Sequence, residues 1–227
     1  GPTFDEAVAA CRSQASFVRV PAEASSTREA GEHVAAALGK PRVVVEGGHG
    51  PSPDCGLGFL AGLLGVAESD VSGEGLGPAL TRAEDMLGAS GTDLVCAAST
   101  PRPLLGLDSV LAVRPDLDPI EEQDTALTGL LTQAFAHRPL RRRQLLGGQA
   151  AHPARAFGSG AGGGVGAVIA AIGGRIAPTA DFLADLLNVD DALKDADLLV
   201  VVEPELASPL LATSTLDALT RAAGELA

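Results

Sequence analysis

GSGAGGGVGAVIAAIGG, residues 158–174, is the stretch that says most about the fold of this chain, and eight of its 17 residues are glycine. A glycine inside a helix or strand costs about 0.5–1 kcal/mol relative to alanine, so this cluster needs a reason that backbone alone can supply. Two explanations compete. Either main-chain N–H groups close on an anion in front of a helix, or chain segments cross here too closely for side chains.

Around this stretch, short apolar runs alternate with amphipathic segments. Residues 42–46, 93–97 and 197–202 are apolar runs bounded by turn or polar residues, as buried strands are. Apolar spacing and capping residues predict helices from Ser26 or Thr27 to residue 38 and over 59–65, 76–87, 119–136, 165–172 and 215–226, with Gly88 just past the third. Strands that alternate with helices predict an α/β protein with a largely parallel sheet.

Composition narrows the class of protein. The chain has 227 residues, 46% of them hydrophobic, which is enough to bury a real core. Its net charge of −13 disfavours nucleic acid as a partner, because Lys and Arg supply most of that affinity. No apolar run approaches the ~18 residues that span a bilayer, and no leader opens the chain, so we expect a cytoplasmic protein without membrane insertion. The leading Gly1-Pro2 is typical of tag removal, and we expect the natural chain to start upstream.

One loop and one basic run contain candidate functional residues, whereas the cysteines do not predict a site. Three cysteines without CxxC spacing predict neither a disulfide framework nor a zinc site. In the loop GGHGPSPDCGLG, residues 47–58, His49 and Asp54 are candidates for a base and a metal or hydroxyl partner, and the alternative is that they are exposed loop residues. The run HRPLRRRQLL, with Arg138, is either a local anion or partner site or a solvated face.

Four stretches together resemble the bacterial glycerate kinases of the two-domain type, which phosphorylate D-glycerate. GSGAGGGVGA, residues 158–167, is similar to the family's GAGAAGGLGA, and VVVEGGHGPSPDCGLG is similar to its IGGSATNDGGAG loop. Residues 94–106 resemble VACDVDNPLTG, and DLLVV, residues 197–201, resembles the family's ADLVITGEG strand. The order and spacing agree over about residues 25–212.

The resemblance implies a glycerate-kinase-like fold whose glycine-rich loops face a cleft for nucleotide phosphates and a small hydroxy acid. On this basis the sequence predicts an anion-binding cleft. Its residues are Gly47, Gly48, His49, Gly50, Ser52, Asp54, Gly158, Gly160, Gly162, Gly163, Gly164 and Glu203. No residue is assigned a catalytic role.

Departures from the family pattern bear directly on activity. Where the family has TGEGRLD, this chain has VVEPELA, with Glu205 in place of the arginine and Ala207 in place of the aspartate. Both aspartates of CDVDNPLTG are missing from residues 96–106, and the family's opening motifs are replaced by about 24 dissimilar residues. Phosphoryl transfer depends on positioning and on cations that neutralise the transferred group, so these losses predict an inactive protein.

We therefore expect residues 1–24 to form a divergent N-terminal segment and residues 25–227 the glycerate-kinase-like region of a divergent, shortened family member. The predicted function is that of a catalytically inactive homologue, a pseudoenzyme that acts as a binding or interaction module and needs no cofactor or metal. A partner protein or small anionic ligand, or a second copy of the chain, is the expected partner. The alternative is an active kinase that phosphorylates glycerate or a related small hydroxy acid with ATP and magnesium.

Overall fold

The structure is a computed structural model, and it describes residues 15–20, 25–48, 52–111, 123–136, 138, 152–194, 196–201 and 215–225. The chain divides into two compact units, of which the larger is Ala15–Ala177. In the described residues, no helix is long and apolar enough to cross a membrane.

A four-stranded sheet organises the larger unit. Its strands are β1 (Ser16–Val20), β2 (Arg42–Gly47), β3 (Asp93–Ala98) and β4 (Arg175–Pro178), and they lie in that order across the sheet. β1 pairs with β2, and β2 with β3, in parallel. Val43, Val44 and Val45 are fully buried, as expected of a parallel strand covered on both faces. The predicted α/β class is therefore confirmed.

In its described residues, this unit contains five helices. They are α1 (Arg28–Ala37), α2 (Leu57–Leu64), α3 (Leu76–Ser90), α4 (Gln123–Ala136) and α5 (Val165–Ala171), with short 3-10 turns at Glu68–Val71, Gly73–Gly75, Pro153–Arg155 and Ala161–Gly164. Every residue of α2 and of α5 is buried. Both helices are apolar on all sides, which is the pattern of a helix enclosed by the protein. The core is therefore continuous around them.

Helix ends follow the rules of capping with one correction. α2 ends at Gly65 in the left-handed conformation, as the sequence predicts. The prediction that α3 ends before Gly88 is wrong, because the helix continues to Ser90 and its left-handed cap is Gly91, at φ 68°. A single glycine inside an otherwise favourable helix costs too little to end it.

The smaller unit contains α6 (Thr179–Leu186), α7 (Val189–Leu193) and α8 (Thr215–Glu225). The strand predicted over residues 197–202 does not form in its described part, residues 197–201. Leu198 is 78% exposed and Val200 71% exposed. Strand propensity is a preference for a pleated, half-buried surface, and in the described residues this run has no strand beside it.

Candidate functional site

The predicted loops meet at one edge of the sheet. Gly47 ends β2 and Ala98 ends β3, and the Ser99 N–H donates a hydrogen bond of 3.2 Å to the Gly47 carbonyl. A Cβ atom placed on Gly158 would lie 2.9 Å from the Ala98 Cβ. The carboxyl ends of parallel strands are where α/β proteins bind ligands, so these loops lie where the fold places a site.

Two segments contact each other at this edge, and we call them the glycine loop (residues 158–164) and the Asp54 loop (residues 52–56). A Cβ atom on Gly163 would lie 2.4 Å from the Ser52 Cβ. One on Gly164 would lie 2.4 Å from the Cys55 carbonyl oxygen. The chain crossing is therefore too close for side chains at these two glycines.

The structure brings together most of the predicted cleft residues. The residues that lie at this edge are Gly47, Gly48, Ser52, Asp54, Gly158, Gly160, Gly162, Gly163 and Gly164. His49, Gly50 and Glu203 lie outside the described residues, so their predicted places in the cleft stay predictions. Ligand binding by the set as a whole also stays a prediction.

The glycine loop leads directly into a helix, as the sequence predicts. Gly162, Gly163 and Gly164 have φ of 61°, 66° and 109°, and α5 begins at Val165. Three successive left-handed residues are available at little cost only to glycine. Part of the glycine cluster is thus explained by the turn itself.

Five N–H groups of the glycine loop are used inside the protein, and two of them close local turns: Ser159 donates to the Ala156 carbonyl at 3.1 Å, and Ala161 to the Gly158 carbonyl at 3.0 Å. Gly158 donates to the Pro101 carbonyl, Gly160 to the Arg102 carbonyl and Gly162 to the Gly48 carbonyl, each at 3.0 Å. An N–H group has one hydrogen to donate, so an anion would have to displace these carbonyls. At Gly158, Gly160 and Gly162 the close-crossing explanation has direct support.

Asp54 has a dense set of partners. Its Oδ2 accepts hydrogen bonds from the Thr27 N–H (2.6 Å) and the Thr27 Oγ1 (3.0 Å). Its Oδ1 accepts from the Ser52 Oγ and from the Gly56 N–H, both at 3.0 Å. The chain itself therefore supplies hydroxyl groups to Asp54, and the role predicted for it toward a metal or a ligand hydroxyl stays a prediction.

Thr27 is the residue at this site that the sequence predicted only as a helix cap. It is the N-cap of α1, but its side chain makes no capping hydrogen bond. Its Oγ1 accepts instead from the Phe59 N–H of α2, at 2.8 Å, while donating to Asp54. No local pattern marks this role, because its partners are 27 and 32 residues away in the sequence.

Few charged side chains lie at this edge of the sheet. Among residues 47–48, 52–56, 98–100 and 158–166, Asp54 is the one charged side chain. Arg102 lies two residues after Thr100, in the loop that follows β3. Its guanidinium donates hydrogen bonds to the carbonyls of Asp108 and Ser109, at 3.1 and 2.8 Å. Within the described ranges, no group of three or more His, Cys, Asp and Glu residues could hold a metal ion.

The two described cysteines are buried thiols. Cys55 is 2% exposed, and it is one of the two non-glycine residues with positive φ among the residues described. Burial raises the pKa of Cys96 to about 12, so this thiol stays protonated at neutral pH. His49, the candidate base in the same loop as Cys55, lies outside the described residues.

One arginine of the basic run, Arg138, lies in the described residues, and it forms an ion pair. Arg138 Nη1 lies 2.9 Å from Glu84 Oε2, and its side chain is 13% exposed. It also contacts the Thr81 hydroxyl and the Gly77 carbonyl of α3. A cavity of about 900 Å³ opens beside this pair, between α3 and α4. Arg141, Arg142 and Arg143 lie outside the described residues.

Comparison with known proteins agrees with this fold. The crystal structure of a protein provisionally assigned as glycerate kinase 2, from Salmonella typhimurium LT2, is similar to this chain with a TM-score of 0.58 at 20% sequence identity. The match covers 99% of this chain and 63% of that one, so the chain spans less than two thirds of the length of this relative. No curated protein matches the chain significantly.

The sequence itself matches the model of the glycerate kinase family over residues 13–208. That range contains both loops of the site and all four strands of the sheet. The chain therefore belongs to the glycerate kinase family.

Proposed function

We propose that this chain is a glycerate kinase family member without kinase activity that acts as a binding or interaction module. The observation that carries the proposal is the charge of the candidate site. The glycine loop and the Asp54 loop together contain one charged side chain, Asp54, and that carboxylate already accepts four hydrogen bonds. Phosphoryl transfer requires cations around the transferred group, and these loops offer none.

The sequence departures point in the same direction. Glu205 and Ala207 stand where the family pattern has an arginine and an aspartate, and residues 96–106 contain no carboxylate. Residues 202–214 lie outside the described part of the chain, so this support comes from the sequence. Loss of one preorganised stabiliser of transition-state charge commonly costs about 2.7–4 kcal/mol. Loss of several lowers the rate by many orders of magnitude.

The alternative is an active kinase that phosphorylates glycerate or a related hydroxy acid with ATP and magnesium. Family membership favours it, as does the position of the two loops at the carboxyl ends of β2 and β3. The donor set argues against it, because the glycine loop and the Asp54 loop contain no cation, and Arg102 of the loop after β3 directs its guanidinium to the carbonyls of Asp108 and Ser109. The described residues also contain no cluster that could bind a metal ion. No step of phosphoryl transfer is therefore assigned to these residues.

A coupled assay with glycerate, ATP and magnesium separates the two functions. We expect no turnover above the background of an enzyme-free control, with a glycerate kinase from the family as the positive control. A turnover of about 1 per second, which is ordinary for enzymes, would establish the kinase and overturn the proposal. The assay is done on the longest natural chain as well as on these 227 residues.

As a module, the protein is expected to take a partner protein, a second copy of itself or a small anionic ligand, in the cytoplasm. Its net charge of −13 argues against nucleic acid. Titration with glycerate alone, followed by the amide signals of the glycine loop, tests the small-ligand branch. Saturable shifts confined to that loop would support it, and their absence would leave the protein partner as the proposal.

A further inference from the structure

The Asp54 carboxylate lies among hydrogen-bond donors at the N-termini of two helices, a kind of position at which proteins bind anions. The four hydrogen bonds to its carboxylate come from the start of α1 and from the Asp54 loop. Thr27 is the N-cap residue of α1, and Gly56 is the N-cap residue of α2. Helix N-termini carry partial positive charge, and backbone N–H groups at such points attract phosphates and carboxylates.

The surrounding chain is built to fit this carboxylate. A Cβ atom on Gly58 would lie 2.3 Å from Asp54 Oδ2, so a side chain there would collide with it. Ser52, one of the donors, is 7% exposed, and Thr27 is 1% exposed. A buried hydroxyl without a partner is costly, so these donors require an acceptor in the folded protein.

We propose that Asp54 is the resident anion of this site. Its carboxylate fills the group of donors formed by Thr27, Ser52 and Gly56, and closes it to external phosphate or carboxylate. By holding Gly56 and Ser52, it also positions the Asp54 loop against Gly163 and Gly164. The inference goes beyond the proposed function, because it concerns which anion fills these donors and holds whether or not the chain transfers phosphate.

One consequence concerns where a ligand of this protein binds. The donors of the Asp54 loop and five N–H groups of the glycine loop are already paired within the chain. A ligand that bound through these groups would have to displace Asp54 or a carbonyl. Asp54 is therefore a positioning residue, and its contribution is measurable through an anion that replaces it.

Chemical rescue tests this directly. The variant Asp54→Ala removes the carboxylate and leaves the donors, and formate is a planar carboxylate small enough to replace it. Unfolding midpoints are measured in sodium formate and in sodium chloride at equal ionic strength. We expect Asp54→Ala to unfold earlier than the wild type and to regain several degrees in formate alone, since a ligand that binds only the folded state stabilises it.

The matched control is Asp85→Ala, which removes an exposed carboxylate from α3. The control and the wild type should respond equally to formate and chloride. An equal formate response in all three proteins, or none in Asp54→Ala, would overturn the inference. If Asp54→Ala is unfolded in chloride, recovery of the fold in formate supports the inference, and failure to recover it contradicts the inference.

A second measurement separates positioning from general destabilisation. In Asp54→Asn, the side-chain amide keeps the shape of the carboxylate but turns N–H groups toward the donors that held it. Hydrogen exchange should therefore rise at the amides of Gly56, Phe59 and Gly164, while the amides of β2 stay protected. Titration of the wild type with inorganic phosphate should leave the Thr27 and Gly56 amide signals unchanged. Saturable shifts of those two signals would show that the donors are open to an external anion, and the inference would be wrong.

Discussion

Single glycines in this protein serve two separable needs, a left-handed turn and a close chain crossing. Gly39 meets only the first, since its φ is 91° and a Cβ atom there would have nothing within 4 Å. Gly164 meets both, with φ 109° and the Cys55 carbonyl oxygen 2.4 Å from its ideal Cβ position. Comparing the two residues isolates the contribution of the crossing.

Gly164→Ala should therefore cost more stability than Gly39→Ala. Left-handed strain costs each variant about 1–2 kcal/mol, and overpacking against the Asp54 loop adds about 1–3 kcal/mol at Gly164 alone. Urea unfolding at neutral pH measures both. Equal losses would mean that the two loops are not in contact as described.

Cys96 should be unreactive in the folded protein. Burial raises the pKa of its thiol to about 12, and alkylation requires the thiolate. We expect iodoacetamide at pH 8 to leave Cys96 unmodified for hours in the native state and to modify it within minutes in guanidinium chloride, as read by peptide mass spectrometry. Rapid native modification would place this thiol at the surface.

Helices α1 and α2 pack with their backbones in close contact at two glycines. A Cβ atom on Gly31 of α1 would lie 2.0 Å from the Phe59 carbonyl oxygen, and one on Gly62 of α2 would lie 2.1 Å from the Arg28 carbonyl oxygen. The two helices thus cross with backbone against backbone. This crossing brings Thr27 to Asp54 and to Phe59.

Gly31→Ala should destabilise the protein by more than about 3 kcal/mol, because the backbone of α2 must move to admit a methyl group. Gly88→Ala is the matched control, since Gly88 lies inside α3 with nothing within 4 Å of its Cβ position. That change should stabilise by about 0.5–1 kcal/mol through helix propensity. Thermal unfolding of both variants gives the sign, and the same sign for both would refute the close crossing.

At the amino end of the sheet, one carboxylate links three strands. Asp93 Oδ2 of β3 lies 2.6 Å from Arg42 Nε of β2, and Asp93 Oδ1 lies 3.0 Å from Arg175 Nε of β4. Burial opposes its ionisation, but hydrogen bonds from Arg175 and Arg42 outweigh burial and hold the pKa of Asp93 below its usual 3.8. The folded state therefore prefers the ionised form, and its contribution to stability is lost when this carboxylate is protonated.

The sign of the pH dependence follows. Because the folded pKa of Asp93 is depressed, its stabilisation is complete above about pH 5 and disappears as the pH falls below 3.8 and through the folded pKa. Asp93→Asn should cost about 1 kcal/mol at pH 7, the scale of partly exposed ion pairs. Urea unfolding from pH 7 to pH 2.5 should show the difference between wild type and variant shrinking in that window, and a constant difference would contradict it.

The whole molecule combines a family fold with an acidic surface. A net charge of −13 opposes the approach of a polyanion, and the glycine loop and the Asp54 loop hold no cation to offset it. The sequence places Glu203 and Glu205 directly after residues 197–202, where the family pattern has a glutamate and an arginine. If these two residues lie in the cleft, as the sequence predicts, a nucleotide triphosphate meets carboxylates there in place of a cation.

ATP with magnesium should accordingly bind with a Kd no tighter than about 1 mM, or about 4 kcal/mol. Calorimetric titration at about 0.15 M salt measures it, with the double variant Glu205→Arg and Ala207→Asp as the comparison. On this electrostatic argument the double variant binds more tightly before it gains any turnover. Micromolar binding by the wild type would mean that a cation outside the described residues reaches the phosphates.

Several features of the fold were predictable from local sequence. The apolar runs at residues 42–46 and 93–97 form β2 and β3, and the stretch after the glycine loop forms α5. The order of the loop motifs was sufficient to identify the family, which the family model confirms. Such signals are local because a buried strand or a capped helix requires its own residues to have the right character.

Tertiary structure decided the rest. β1, within the segment expected to be divergent, and β4 were not predicted, while the strand predicted over residues 197–202 does not form in its described part, residues 197–201. The pairing of Thr27 with Asp54, and of Gly163 with Ser52, also left no local trace. The sequence by itself determined which segments were apolar enough to be buried and which turns needed glycine. Only the folded chain decided which strands found a neighbour and which donors met Asp54, because those energies depend on residues far apart in sequence.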